Sequence, residues 1–305
     1  MNSDAQTTSN SQWKMVIWLL RLSCFLVFVG RGWQHLFTGD APFRVLFWDE
    51  DLLTPLVKSL FGMSWDQWAT SELVDNTIQS SIYITGAFYF LCAVLSLFVQ
   101  RNHRFIKIIL GIGCASLVFL AFLYFKDRFY QWAQFFEYAA QYMAPGLLIW
   151  AVSTDRRPPF GFDFAIRLAV ALTFICHGLY AFGYYPVPGN FVDMVIQILN
   201  VSDSKAIELL EFAAILDFAV GGLLIMGILK RFAYGYAIFW GVATTSARLM
   251  ANLSWDLLGA DLMRWLPEFL QRGPHATLPA AGLVLCSAYI AAFFSGKISS
   301  IKKPL

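Results

Sequence analysis

The chain has 305 residues, of which 58% are hydrophobic and only 14% charged, with a formal net charge of +2. Soluble domains carry roughly a quarter charged residues, and a water-soluble globule this apolar would aggregate through its own surface patches, which excludes that class. The near-neutral balance, with no clustered basic face, gives no reason to expect a nucleic-acid partner.

In chain order, residues 1–13 form a polar tail that is expected to be disordered. Lys14 then opens a long apolar run with no small-residue cleavage site, which reads as a retained first helix rather than a removed signal peptide. Stretches able to cross a bilayer with about 20 residues each occur at 14–36, 78–99, 105–125, 133–152, 163–182, 209–229, 233–252 and 276–296. The expected fold is therefore an all-α polytopic bundle of about eight transmembrane helices. Between the first two runs, and before the last, residues 43–62 and 256–271 mix Leu, Phe and Trp with acids. Both read as amphipathic helices on the outer surface, or as packed loops. Basic residues (Lys14; Arg101, Arg104, Lys107; Arg156, Arg157; Lys230, Arg231; Lys297, Lys302, Lys303) occupy one set of alternate loops. Asp40, Asp49, Glu50, Asp51, Asp66, Glu72 and Asp75 occupy the other. The positive-inside rule makes the basic side, with both termini, cytoplasmic. The cysteines Cys24, Cys92, Cys114, Cys176 and Cys286 all lie in apolar runs without a C-x-x-C pair and read as small core residues. Gly111 and Gly113 in the third run read as a close helix contact.

The chain also resembles itself. Arg21, Leu22, Leu26, Phe28 and Gly32 of the first run repeat as Arg167, Leu168, Leu172, Phe174 and Gly178 of the fifth, and Ala144-Pro-Gly-Leu-Leu of the fourth is echoed by Ala280-Ala-Gly-Leu-Val of the eighth. Two parallel four-helix repeats follow, at 14–155 with an outer insertion near 38–77, and at 156–305 with the outer segment 256–271. An even number of spans per unit gives a pseudo-two-fold axis along the membrane normal.

Ionisable residues inside spans are costly and face a cavity or a partner. At a rise of about 1.5 Å per residue, Arg31, Glu137, His177, Asp217 and Arg248 fall about 18–24 Å from the cytoplasmic helix ends, in one layer just outward of the midplane. His35, Gln141 and Asn252 follow Arg31, Glu137 and Arg248 by one turn, Thr244 precedes Arg248 by one, and Glu211 lies further outward. Arg31 and Arg248 are expected to face Glu137, Asp217 and Glu211. The layer reads either as a hydrated pocket for a polar or redox-active small molecule or as ion pairs fixing helix registry. His35, His177 and His275 lie toward the outer face. Without H-x3-H or H-E-x-x-H spacing, haem or metal is not expected. No G-x-S-x-G, P-loop or dinucleotide fingerprint is present.

From Arg167 to Phe191, RLAVALTFICHGLYAFGYYPVPGNF, the chain resembles the DoxX-like membrane proteins, whose first helix carries an R-(L/I)…F…H-G-x-x pattern and which contain four spans. The stretch RLSCFLVFVGRGWQHLF from Arg21 resembles the same helix, with Arg31 where the second copy has His177. The chain departs from that pattern by fusing two units and by its acidic insertion after the first span. The resemblance implies a bacterial inner-membrane protein. Some such proteins resemble subunits of quinone-linked oxidoreductases such as thiosulfate:quinone oxidoreductase, and others resemble assembly factors. It makes quinone the cofactor to expect near the polar layer, with His177 or Glu137 exchanging protons with the headgroup. The alternative expectation is a non-enzymatic transporter, or an accessory subunit that docks an extracytoplasmic or membrane protein partner through the acidic outer helices.

Overall fold

The computed structural model describes residues 2–154 and 158–294, and every regular element among them is helical. Arg156, Arg157, Lys297, Lys302 and Lys303 lie outside the described residues. The first helix, α1 (Asn2–Trp33), begins inside the stretch expected to be a disordered tail, which corrects that expectation. No Gly or Pro precedes Gly30, so nothing interrupts the helix once its apolar part is packed. α1 ends in a π-helical turn, Gln34–Thr38, closed by Gly39 in the left-handed region. Such turns recur where a helix serves a site.

The acidic insertion folds as α2 (Arg44–Phe47), α3 (Glu50–Phe61) and α4 (Trp65–Ala69). Asp49 caps α3 by accepting from Leu52 N at 3.0 Å and also pairs with Lys126. The hydrogen bond from Lys126, aided by that from Leu52, holds the Asp49 carboxyl below its usual value. This tie is therefore present above the ordinary aspartate range and is lost as pH falls through the lowered value.

α5 (Glu72–Phe98) runs back antiparallel to α1, and α6 (Arg104–Asp127) follows. The expected fourth run is not one helix. It is split at Tyr138 into α7 (Trp132–Glu137) and α8 (Ala139–Ser153). α9 (Phe162–Ala181), α10 (Gly189–Leu199), α11 (Asp203–Met226) and α12 (Lys230–Asn252) come next. The chain closes with α13 (Leu258–Gln271) and α14 (Pro274–Phe294), parted at Arg272 and Gly273. Each break precedes a proline at the same spacing, Pro145 after Tyr138 and Pro279 after Arg272.

Five helices are long and apolar enough to cross a membrane: Ser11–Thr38, Glu72–Phe98, Arg104–Asp127, Phe162–Ala181 and Asp203–Met226. They make the chain an integral membrane protein of helical type. α1 packs on α5, α8, α13 and α14, while α9 packs on α11, α7, α8 and α14. Similar contacts recur in both halves. Arg21 donates to Val99 O at the end of α5, and Arg167 donates to Leu224 O at the end of α11. A Cβ on Gly32 would meet Phe90 and Gly86 O, and one on Gly178 would meet Phe218 and Ala214 O. Gly113 does mark a close contact, against Cys92 and Phe28, whereas Gly111 faces open space. All five cysteines are free thiols.

The break at Tyr138 leaves the first N–H groups of α8 without a partner in a preceding turn, and Tyr138 O accepts only from Gln141 N and Tyr142 N. One of them, Ala140 N–H, donates to Thr173 Oγ1 on α9 at 2.9 Å, in a fully buried setting. Thr173→Val keeps the side chain's shape and strands that N–H, so a loss of about 1–3 kcal/mol is expected. Thermal unfolding in detergent measures it, and an unchanged melting temperature would mean that water satisfies the group.

Candidate functional site

A buried cluster of guanidinium groups forms where α1, α8, α12 and α13 meet, toward the end of the bundle that carries the acidic loops. Arg31 is 2% exposed and Arg248 4%. Arg31 comes from the last turn of α1 and is held by neutral groups alone. Its Nη1 donates to Gln34 Oε1 at 3.0 Å and Tyr124 OH at 3.2 Å, and its Nη2 donates to Gln141 Oε1 at 2.9 Å. The rings of Tyr124 and Tyr138 flank it, with centroids 5.2 and 4.9 Å from the guanidinium carbon, within cation–π range.

The carboxylate of the cluster is Glu268, on the last turns of α13. It accepts from Arg272 one turn later and from Gln34 Nε2, and it lies 4.0 Å from Arg248 Nε. Gln34 thus bridges Arg31 and Glu268, its amide oxygen facing the cation and its nitrogen the anion, an orientation fixed by the two partners. α13 reaches this depth because α1 has no side chain at Gly30. A Cβ there would lie 2.7 Å from Pro267 O and 2.9 Å from Gln271 Cα. Segment 256–271 does form a helix from Leu258, exposed over its first turns and buried at Pro267 and Gln271 against α1. Segment 43–62 does form helices, as α2 and α3.

A second polar group adjoins the first. His177 Nδ1 is 3.0 Å from Asp217 Oδ2, and Tyr236 OH donates to Asp217 Oδ1 at 3.3 Å. Phe191 of α10 connects the two groups, its ring centroid 5.0 Å from that of His177 and 5.8 Å from the Arg248 guanidinium carbon. Beside it, Arg248 Nη1 touches Met194 Sδ at 3.8 Å. Met194 in turn lines a cavity of about 200 Å³ shared with Asn190, Asp193, Gln197, Asn252 and Trp265.

The structure brings together most, but not all, of the residues singled out from the sequence. Arg31 meets Gln141 directly. His35 lies within the same turn, its Nδ1 2.7 Å from Arg31 O and its ring against Tyr89 and Phe43. Glu137 is buried at the α7–α8 break and makes no hydrogen bond or ion pair among the described residues. Two expectations, for Asp217 and Glu211, are corrected. Asp217 partners His177 and Tyr236 rather than an arginine. Glu211 is exposed, because it sits on the outward face of α11. Thr244 and Asn252 hydrogen-bond backbone of their own helix, at Trp240 O and Arg248 O. Asn252 also faces the cavity. Gln34, Tyr124, Tyr138, Glu268 and Arg272 were missed. Helix α10 was missed as well, although Phe191, Met194, Val195 and Ile198 after Pro188 carry helical apolar spacing.

Several buried polar atoms of the centre have no partner among the described residues: Arg31 Nε, Gln141 Nε2, His35 Nε2, His275 Nε2 and Gln271 Oε1. Most are donors, or ring nitrogens able to donate. Such atoms are seldom left without water or a ligand.

The fold and the site together define a helical integral membrane protein with an arginine-lined polar centre. No protein-family model, no curated protein and no solved structure matches this chain.

Proposed function

We propose that this protein binds a small molecule through that molecule's acceptor oxygens, at the arginine centre in the outer half of the bilayer. The observation that carries this reading is the pair of unpartnered buried donors, Arg31 Nε and Gln141 Nε2, beside three guanidinium groups. The reading places eight crossings in the membrane as two parallel four-helix repeats, with α7–α8 and α12 and α14 supplying the three beyond the five apolar spans. The matched contacts at Arg21 and Arg167, at Gly32 and Gly178, and at the two helix breaks support the repeats. Discontinuous helices near the midplane commonly line the sites of membrane proteins. Arg101 lies in the α5–α6 connection and Arg104, Lys107, Lys230 and Arg231 in the first turns of α6 and α12, which supports a cytoplasmic assignment for that face and for both termini.

A quinone headgroup suits the unpartnered donors, because its two carbonyl oxygens accept without donating. Together with the DoxX-like pattern of α1 and α9, this makes a quinone-binding subunit of a bacterial inner-membrane oxidoreductase the leading assignment. Protein extracted in mild detergent is expected to carry quinone, and Gln141→Leu to reduce its occupancy at least several-fold, as measured by solvent extraction and chromatography. Quinone-free protein, with Glu137→Gln and His177→Ala equally silent in quinone-dependent reduction, would remove quinone and leave the donors to another acceptor. One observation favours a second reading, a carrier or accessory protein that meets a solute or partner from outside. The cavity lined by Asn190, Asp193 and Trp265 lies between α10, α12 and α13, beside the acidic loops.

A further inference from the structure

Helix α10 carries a polar stripe that the bundle itself does not use. Asn190, Asp193 and Gln197 recur at the three- and four-residue spacing that puts side chains on one helix face, while Phe191 and Met194 beside them are buried. The three polar side chains make no hydrogen bond or ion pair among the described residues. On a helix bathed in water such a stripe would be ordinary. This one lines a cavity of about 200 Å³, whose other walls include Asn252 at the end of α12 and Trp265 of α13. Asn252 donates its amide nitrogen to Arg248 O, which leaves its amide oxygen for an occupant. Asp193 and Gln197 are exposed, so the cavity opens to solvent. Concave sites with a few placed polar groups and an aromatic wall are where small molecules bind.

We propose that this cavity binds a small polyhydroxylated ring, a sugar or cyclitol, against the face of Trp265. The proposal rests on the reading of a solute met from outside and names that solute's chemical class. Hydrogen-bonding capacity selects the class. A hydroxyl both donates and accepts, and so does each amide side chain of the wall. The Asp193 carboxylate accepts from hydroxyls in charge-assisted bonds, the stronger kind. An ammonium only donates, and would leave the amide nitrogens of Asn190 and Gln197 without an acceptor. A carboxylate or phosphate only accepts, and would meet Asp193 head on. The indole supplies a flat apolar face for the C–H side of a sugar ring. Size agrees with the chemistry. A volume of about 200 Å³ corresponds to about six or seven waters at roughly 30 Å³ each, about the space that one six-membered sugar ring fills.

The test is saturation-transfer difference NMR on the full chain in a detergent that contains no sugar. The probes are D-glucose and myo-inositol, with choline, succinate and cyclohexanol as controls. Wild type is expected to bind at least one of the two polyols, its ring C–H protons receiving the strongest transfer, and to bind none of the controls. Asp193→Ala and Gln197→Leu are each expected to weaken that binding at least five-fold, and Trp265→Ala to abolish it. Asp193 and Gln197 occupy exposed positions, so their variants keep the test decisive if Trp265→Ala fails to fold. Polyol binding that is unchanged in both Asp193→Ala and Gln197→Leu overturns the proposal, as does cyclohexanol binding as well as inositol. Choline or succinate bound in place of the polyols, and lost in Asp193→Ala or Gln197→Leu, overturns the polyol assignment alone and leaves the external-solute reading standing. If none of the five compounds binds, that reading falls with it.

Discussion

Glu268→Gln is expected to lower stability by about 3–5 kcal/mol, because removing one member of a buried ion cluster strands the others. The guanidinium groups would then be left with Glu137 and the more peripheral Asp40 as their nearest carboxylates. Gln34 would lose the acceptor for its amide nitrogen, so its bridge to Arg31 would loosen too. Thermal unfolding followed by circular dichroism measures the loss. A double-mutant cycle with Arg272→Gln separates this effect from a change of shape. Direct partners are coupled by about 0.5–3 kcal/mol, so the double variant should be less damaged than the two single losses predict. Strict additivity, or a melting temperature unchanged in Glu268→Gln, would show that the cluster contributes nothing to the folded state.

Gly30→Ala is expected to destabilise by about 1–3 kcal/mol, the usual range for forcing atoms into packed structure, although alanine is the better helix former. Helix propensity alone favours the substitution by up to about 1 kcal/mol. The new methyl, however, would lie 2.7 Å from Pro267 O and closer still to Gln271 N, and both atoms are backbone. They can move only if α13 moves, and that displaces Glu268 from the arginines. Gly111→Ala, Gly222→Ala and Gly235→Ala provide the contrast, since a Cβ at each would have nothing within 4 Å. Those three should be neutral or stabilising. If Gly30→Ala melts with them rather than below wild type, α13 does not rest on α1 in the way described.

The helical bundle was legible in the sequence because apolar length sets a span with little help from tertiary context. Part of the polar centre was legible for the same reason. Counting along straight helices puts Arg31, Gln141 and Arg248 at similar depth, and they do gather. The method failed where a helix is not straight. Glu268 lies in an amphipathic stretch that reads as surface, and only the break at Arg272 and the bare backbone of Gly30 carry it inward. Depth also says nothing of azimuth. Glu211 and Asp217 share α11, but one faces outward while the other is buried against His177. Tyr124 and Tyr138 gave no signal because aromatic residues are common throughout this chain. The proline shared by the two broken helices was hidden by aligning Ala144 with Ala280, whereas the breaks themselves align Pro145 with Pro279.

The first helix of each half of the chain is clasped by the last helices of the other: α1 by α13 and α14, α9 by α7 and α8. Ser23 and Thr277 lie 2.6 Å apart across one of these clasps, and Thr173 reaches Ala140 across the other. Halves threaded through one another in this way cannot rock as two independent rigid bodies, the motion by which many carriers alternate their exposure. Any opening in this protein has to be local, with a peripheral helix such as α10 or α13 swinging on its hinge while the interlocked frame stays still.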